Sequence, residues 1–250
     1  MQDINITINL KADLESFLRE KFEKDNLNKL GVNVSEEELT KLQNEDFDNL
    51  IMLYSRLRNR LLVGRKRRVI IHKSLLQSIQ YSKYKKEILK LKKIFENGNS
   101  IRPYLSNQVN KVYFVDRLLL DWGIHHIHFT SCYSKEKRGN DILFIVEQND
   151  IIHFITIMTH SDFYNIDLLR CIYESCPTIL EPYKLVGIKP LTENYTMEQI
   201  RNLRSYDVGY AVSFDENVYA PTLNMKSNTR LVEATFKLKK NLREYRTVYF

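Results

Sequence analysis

The chain has 250 residues and is 43% hydrophobic and 11% aromatic, enough for a packed core in one or two domains, while seven Gly and five Pro leave little room for flexible linkers. Its polar, acidic start and the lack of an apolar run of about 18 residues argue against a signal peptide and a membrane helix, so we expect a soluble, cytoplasmic protein. The net charge of +7 is unevenly spread: residues 51–100 carry 14 Lys or Arg and two Asp or Glu, which indicates a phosphate-bearing or acidic partner.

The first hundred residues are predicted to be mainly helical. Apolar residues at three- and four-residue steps predict one helix over residues 8–24 and another over residues 47–63, which Gly64 would end. Residues 35–38, Ser-Glu-Glu-Glu, have the pattern of a capping box at the start of a further helix. A long helix is predicted over residues 73–96, closed by Asn-Gly.

Basic residues follow the helix over 47–63 and share one face of the helix over 73–96. Tyr81 and Tyr84 stand among the lysines, and aromatic rings interleaved with cations suit single-stranded RNA or DNA. The alternative is a solvated face of a lysine-rich helix. The residues predicted to bind nucleic acid are Arg56, Arg60, Arg65, Lys66, Arg67, Arg68, Lys83, Lys86, Lys90 and Lys93.

A connector at residues 100–108 is predicted to separate a helical domain, residues 1–99, from an α+β domain, residues 100–250. The second domain is rich in Ile, Val, Phe and Thr between turn residues, which is typical of strands. Strands are predicted over residues 124–130, 140–148, 151–159 and 208–214, and helices over 162–175, 196–204 and 229–243. The predicted fold class is α+β, with a helical N-terminal region followed by an antiparallel β-meander that helices cover.

The stretch from Trp122 to His160 holds five of the six histidines and is the best candidate for a functional site. Asn149 and Asp150 suit a two-residue hairpin turn, which would place Leu143 opposite Thr156 and Gly139 opposite His160. With the first strand ending near Thr130, one sheet end would gather the predicted catalytic residues. These are His126, His128, Arg138, Asp141 and His160.

Two imidazoles and a guanidinium have the parts for cleavage of RNA without a metal or other cofactor. One imidazole would take a proton from a 2′-hydroxyl, another would protonate the leaving oxygen, and Arg138 would hold the charge on phosphorus. His160 also precedes a predicted helix N-terminus, which favours phosphate. Alternatively, His126, His128 and His160 bind zinc, or they are packed in the sheet as structural residues. His72 and His153 are interpreted as structural.

The order of these elements resembles the core of the RelE/HigB superfamily of bacterial toxins, small ribonucleases in which helices precede an antiparallel meander. The pattern here is a strand after Gly123, an Arg138 entering the next strand, and a third strand ending in His160. The resemblance covers about a quarter of the chain, without the family's lysine pair after the third strand and with histidines on the first strand where the family often has Arg or Glu. It implies a cytoplasmic toxin or antiviral-defence nuclease that acts on RNA and is restrained by an antitoxin or another inhibitory protein.

Three hypotheses therefore remain open from the sequence. The first is a metal-independent endoribonuclease that cleaves RNA by His/Arg acid–base chemistry. The second is a non-catalytic nucleic-acid-binding or regulatory protein that uses the basic helical block. The third is an interaction protein in which the acidic N-terminal region pairs with the basic block, within the chain or in a homo-oligomer.

Overall fold

A computed structural model of the chain describes residues 9–130, 139–206 and 208–221. Within them, residues 9–59 and 108–114 belong to one compact unit, unit 1, and residues 60–107 and 115–221 to a second, unit 2. The predicted boundary near residue 100 falls inside unit 2. No helix in the described part of the chain is long and apolar enough to cross a membrane.

Four helices fill most of the first 61 residues: α1 (Leu10–Lys21), α2 (Lys24–Lys29), α3 (Glu36–Asn44) and α4 (Phe47–Leu61). The predicted capping box is confirmed at Ser35, at the start of α3, while α1 begins two residues later than predicted, where Asn9 accepts the Ala12 N–H. Gly64 does not end α4. Leu62 takes the left-handed conformation directly after the last helical residue, with φ 44°.

The prediction of a single helix over residues 73–96 is wrong. A strand, β1 (Arg68–Ile71), comes first, and it is followed by α5 (Lys73–Leu76) and α6 (Ile79–Asn97). The Ser78 hydroxyl caps α6 by accepting the Tyr81 N–H, so a new helix begins there. Its predicted end is confirmed, because Gly98 adopts the left-handed conformation at φ 75°.

The central sheet of unit 2 confirms the predicted meander and adds a fourth strand. Strands β2 (Ile124–His128), β3 (Asp141–Gln148) and β4 (Ile151–Thr159) are antiparallel neighbours. Strand β1 pairs in parallel with β4, which makes the sheet mixed, in the order β1-β4-β3-β2. A four-residue strand beside a basic cluster gave too short an apolar run to be predicted.

The predicted hairpin register is right near the turn and wrong beyond it. Asn149 and Asp150 both have positive φ, 51° and 63°, as a tight two-residue turn requires, and Val146 pairs with His153 as expected. A β-bulge then adds Ile155 to β4. The later pairs are displaced by one residue, so that Phe144, and not Leu143, opposes Thr156.

Helices cover both faces of this sheet. On the face of Ile142 and Phe144 lie α7 (Arg117–Trp122), α8 (Ile166–Ser175) and α9 (Met197–Ser205). On the other face, Phe95 of α6 packs against Phe154. A small second sheet follows, formed by β5 (Lys184–Leu185), β6 (Val212–Phe214) and β7 (Asn217–Tyr219). Strand β6 confirms the end of the strand predicted over residues 208–214, which begins four residues later than predicted, whereas the predicted helix over 229–243 lies outside the described residues.

Burial of His125 predicts an acid-sensitive fold. Burial lowers the pKa of His125 from 6.5 to about 4, so between these values the unfolded chain binds a proton that the folded chain excludes. This contribution to stability is present above pH 6.5 and is lost as the pH falls towards 4. Between about pH 7.5 and about pH 5 we expect it to cost about 2 kcal/mol of unfolding free energy.

Urea unfolding of the wild type and of His125→Gln at these two pH values measures the contribution. Gln does not titrate, so the loss of stability between the two pH values should shrink by about 2 kcal/mol in the variant. Burial also lowers the pKa of His72 and of His153, so part of the acid sensitivity should persist. An equal loss in both proteins would show that His125 is not buried in its neutral form.

Candidate functional site

Three imidazoles lie in a row on one face of the sheet, and we call them the histidine row: His126, His128 and His160. His126 and His128 flank the buried Ile127 along β2, so their side chains share one face, while His125 faces the opposite side with Ile145. The ring centroids are 6.2 Å apart for His126 and His128 and 5.2 Å apart for His128 and His160. The predicted grouping of these three residues is therefore confirmed.

The β-bulge at Ile155 brings His160 to this face. Without it, His160 would align with Gly139 and share the face of Asp141. With the extra residue, Asp141 pairs with Thr159, and the His160 Nδ1 lies 3.3 Å from the Asn140 carbonyl oxygen. The exposed His160 ring is tilted by 31° against the ring of His128, of which 4% is exposed.

The inner end of the row meets a carboxylate that the sequence did not reveal. Asp116 Oδ2 lies 3.6 Å from His126 Nδ1, and both side chains are largely buried. The other oxygen, Asp116 Oδ1, accepts the Leu119 N–H and fixes the carboxylate at the start of α7. The carboxylate therefore lies within ion-pair distance of the His126 imidazole.

Phe163 closes the row on its outer side. Its ring meets those of His126 and His160 edge-on, at centroid distances of 4.9 and 5.7 Å. The predicted helix over residues 162–175 is wrong at its start, because His160–Tyr164 forms a short 3-10 helix and α8 begins at Ile166. The predicted phosphate site on a helix N-terminus beside His160 is therefore not formed, and Asp162 caps this turn through Thr159.

Asp141 does not belong to the site. Its carboxylate points to the opposite face of the sheet, where it accepts hydrogen bonds from Tyr84 (2.6 Å) and Lys83 (2.8 Å) of α6. The Tyr84 ring stacks on Phe129 at 4.1 Å, which holds this contact in place. His128 pairs with Ile142, so these two side chains share a face of the sheet. Adjacent strand residues face opposite sides, and Asp141 therefore lies on the other face, which is why the prediction failed. Arg138 lies outside the described residues.

The nitrogens of the histidine row do not form a metal-binding group with one another or with nearby carboxylates in the described part of the chain. Asp162 is engaged by the Thr159 hydroxyl and N–H and by the Asn165 side chain. Among the described residues, the ligand atoms of His126, His128 and His160 therefore do not converge as those of a tetrahedral zinc site do.

The predicted nucleic-acid surface is partly corrected. Arg60 and Arg67 are buried, and Arg67 binds Glu147 at 2.8 Å, so neither belongs to a contact surface. Arg65 is exposed but is paired with Glu147 and Asp150. Arg56 is half-buried. The other exposed residues are Lys66, Arg68, Lys83, Lys86, Lys90 and Lys93, of which Lys83 is paired with Asp141.

Four of these, Lys83, Lys86, Lys90 and Lys93, form the lysine face of α6. The helix covers the sheet face opposite to the histidine row, and Lys83 at its beginning is the member nearest to the row through Asp141 and Asn140. Tyr84 has non-helical dihedral angles and kinks α6 just after Lys83, and beyond the kink Lys93 lies seven residues after Lys86, about 10 Å away at 1.5 Å per residue. The histidine row and the lysine face are therefore closest to each other at one end of the sheet.

Two residues of the site, Asp116 and Phe163, were missed in the sequence analysis. Only Asp116 has a sequence pattern from which it could have been found. Asp116 precedes the apolar stretch that becomes α7, and an Asp at that place is a common helix cap. Its distance to His126 depends on how α7 folds back on β2, which no local pattern states. Phe163 falls within the helix predicted over residues 162–175, but the 3-10 helix His160–Tyr164 places it beside the histidines instead.

No protein-family model, curated protein or solved structure matches the chain. The resemblance to RelE/HigB toxins stays a prediction.

Proposed function

We propose that the protein is a metal-independent endoribonuclease whose acid–base residue is His160. The observation that carries this proposal is the pairing of an exposed imidazole with a buried one, His160 against His128 at 5.2 Å. Imidazole is the side chain best suited to exchanging protons near neutral pH. An exposed imidazole with two further imidazoles behind it is uncommon at a sheet end that has only a structural role.

In this proposal His160 removes the proton from a ribose 2′-hydroxyl, and the 2′ oxygen attacks the adjacent phosphorus. The bond from phosphorus to the 5′ oxygen breaks, the leaving oxygen takes a proton from water, and the product carries a 2′,3′-cyclic phosphate. His128 is buried, so it acts as a positioning residue for His160 and does not touch RNA. Asp116 and His126 support the inner end of the row.

The lysine face supplies the electrostatic part of the proposal. An RNA strand that passes round the end of the sheet would contact His160 on one face and Lys83 on the other. Its phosphates would then contact Lys86, Lys90 and Lys93 along α6. The predicted role of Arg138 in holding charge on phosphorus remains part of the proposal. A restraining protein partner is proposed on the RelE/HigB resemblance.

Cleavage of RNA but not DNA in a chelator tests the reaction class. The purified full chain is incubated in EDTA with labelled RNA and with DNA of the same sequence. We expect fragments from RNA alone, because DNA lacks the attacking hydroxyl. Cleavage of both polymers, or cleavage that requires an added divalent metal, would contradict the proposal.

A non-catalytic RNA- or DNA-binding function is the second candidate, and one observation favours it. The exposed lysines lie on the face of the sheet that α6 covers, away from the histidine row. Binding through the lysine face therefore does not require the imidazoles. Tight binding of RNA without any cleavage product would select this candidate.

Both candidate functions predict that Lys86 and Lys93 contact nucleic-acid phosphates, so that the affinity for RNA falls as the salt concentration rises. These two exposed residues are replaced together by Gln, and Lys184→Gln with Lys189→Gln serves as a control of equal charge. Each lost phosphate contact should reduce the slope of log affinity against log salt by about 0.7, so about 1.4 for the pair. An equal reduction in the control would show that net charge, and not the lysine face, drives binding.

A further inference from the structure

A second group of ligating side chains lies in unit 2, away from the histidine row. His72 Nε2 and His153 Nδ1 are 2.9 Å apart, and the Cys176 sulfur joins them so that all three ligand atoms lie within 4.8 Å of one another. His153 is seven residues before His160 along β4 and its continuation. At about 3.3 Å per residue the two groups are about 20 Å apart.

We propose that His72, His153 and Cys176 bind a Zn²⁺ ion. Two imidazole nitrogens and a thiolate are the ligand types that zinc prefers, and three protein ligands leave a fourth position for water. In tetrahedral zinc two ligating nitrogens are about 3.3 Å apart. The present 2.9 Å separation is that of a hydrogen bond between the two rings, which the ion would replace while the nitrogens move apart by a few tenths of an ångström and the Cys176 sulfur, within 4.8 Å of both, moves closer.

The fold holds the two imidazoles close together inside unit 2. Both rings are buried, and they stack with their centroids 5.2 Å apart. The His72 ring donates a hydrogen bond to the Ser175 backbone carbonyl, the kind of second contact that orients a ligating imidazole.

The three ligands come from different elements, and each is held by the fold. His72 links β1 to α5, its N–H donating to the Phe154 carbonyl, and His153 lies within β4. Cys176 ends α8 and is partly exposed, which gives the ion a way in from solvent. The site would tie the end of α8 to the sheet. It is independent of the proposed ribonuclease reaction.

Metal binding by the full chain tests this inference. The protein is stripped with EDTA, exchanged into metal-free buffer and titrated with Zn²⁺ and, in parallel, with Co²⁺. We expect one equivalent of tightly bound metal and a thiolate-to-cobalt charge-transfer band, which reports the Cys176 sulfur directly. At a Zn²⁺ concentration of about 100 times Kd, the melting temperature should rise by about 5 to 10 °C.

Cys176→Ser should weaken metal binding by at least about a hundredfold and abolish the charge-transfer band, because it removes a ligand. Cys171→Ser is the matched control, since Cys171 lies on the same helix outside the cluster, and it should bind as the wild type does. His72→Gln gives a second test if Cys176→Ser melts early. Unchanged binding in Cys176→Ser, loss of binding in His160→Gln, or selective Cu²⁺ binding without Zn²⁺ binding would overturn the assignment.

Discussion

Replacing His160 with Ala is expected to lower the rate of RNA cleavage by about 10²- to 10⁴-fold, the usual contribution of a positioned acid–base group. His160 is exposed, and its ring contacts are with His128 and Phe163, so the substitution removes an imidazole without opening the core. Single-turnover cleavage of labelled RNA in EDTA measures the change. The melting temperature should stay within about 2 °C of that of the wild type, because surface substitutions have small effects on stability.

Asp141→Asn is the matched control for His160→Ala. Both residues lie at the same end of the sheet, but the Asp141 carboxylate faces α6 and binds Lys83 and Tyr84. We expect this variant to change the cleavage rate by less than about threefold, since its carboxylate does not face the histidine row. Comparable losses in both variants would mean that the site spans both faces and that the observed strand register does not organise it.

Breaking the buried ion pair between Asp121 and Arg204 is expected to have the largest effect on stability. Arg204 Nε lies 2.9 Å from Asp121 Oδ2, and the two side chains are 7% and 8% exposed. The guanidinium also donates to the Tyr210 hydroxyl and to the Phe163 carbonyl. Asp121→Ala leaves that cation buried without its counter-ion, so we expect a loss of about 3 to 5 kcal/mol in unfolding free energy.

Urea unfolding near neutral pH measures this loss, and Glu36→Ala is the control. Glu36 pairs with Lys24 at the surface, so breaking that ion pair should cost less than about 1 kcal/mol. Because Arg204 holds the Phe163 carbonyl and the Phe163 ring contacts His126 and His160, Asp121→Ala should also impair cleavage. A stability change no larger than that of Glu36→Ala would show that the buried network carries little of the folding free energy.

Local patterns predicted the elements that depend on neighbouring residues. Asn149 and Asp150 tolerate positive φ, so the hairpin turn and its first pairs were readable from the sequence. The capping boxes at Ser35 and Thr196 were readable for the same reason, because each is completed within four residues. Strand β1 was missed since its place beside β4 depends on pairing across about 80 residues.

The sequence predicted which histidines belong to the candidate site better than it predicted how they are arranged. Alternation along β2 placed His126 and His128 together, but the bulge at Ile155 decided which face His160 would join. That bulge depends on how Ile155 packs under α8, and no local signal marks it. Asp141 was assigned to the site because the predicted meander placed it at the same sheet end, but its side chain faces α6. The pairing of His72 with His153 was hidden because it joins residues 81 positions apart.

The chemical nature of the RNA ends made by the full chain in EDTA tests the central claim most directly. Mass spectrometry of the fragments identifies the group left on the 3′ side of each cut. The proposed attack by the 2′ oxygen predicts a 2′,3′-cyclic phosphate from the wild type and no fragments above background from His160→Ala. Fragments with a free 3′-hydroxyl, or equal cleavage by both proteins, would contradict the assignment of His160 as the acid–base residue.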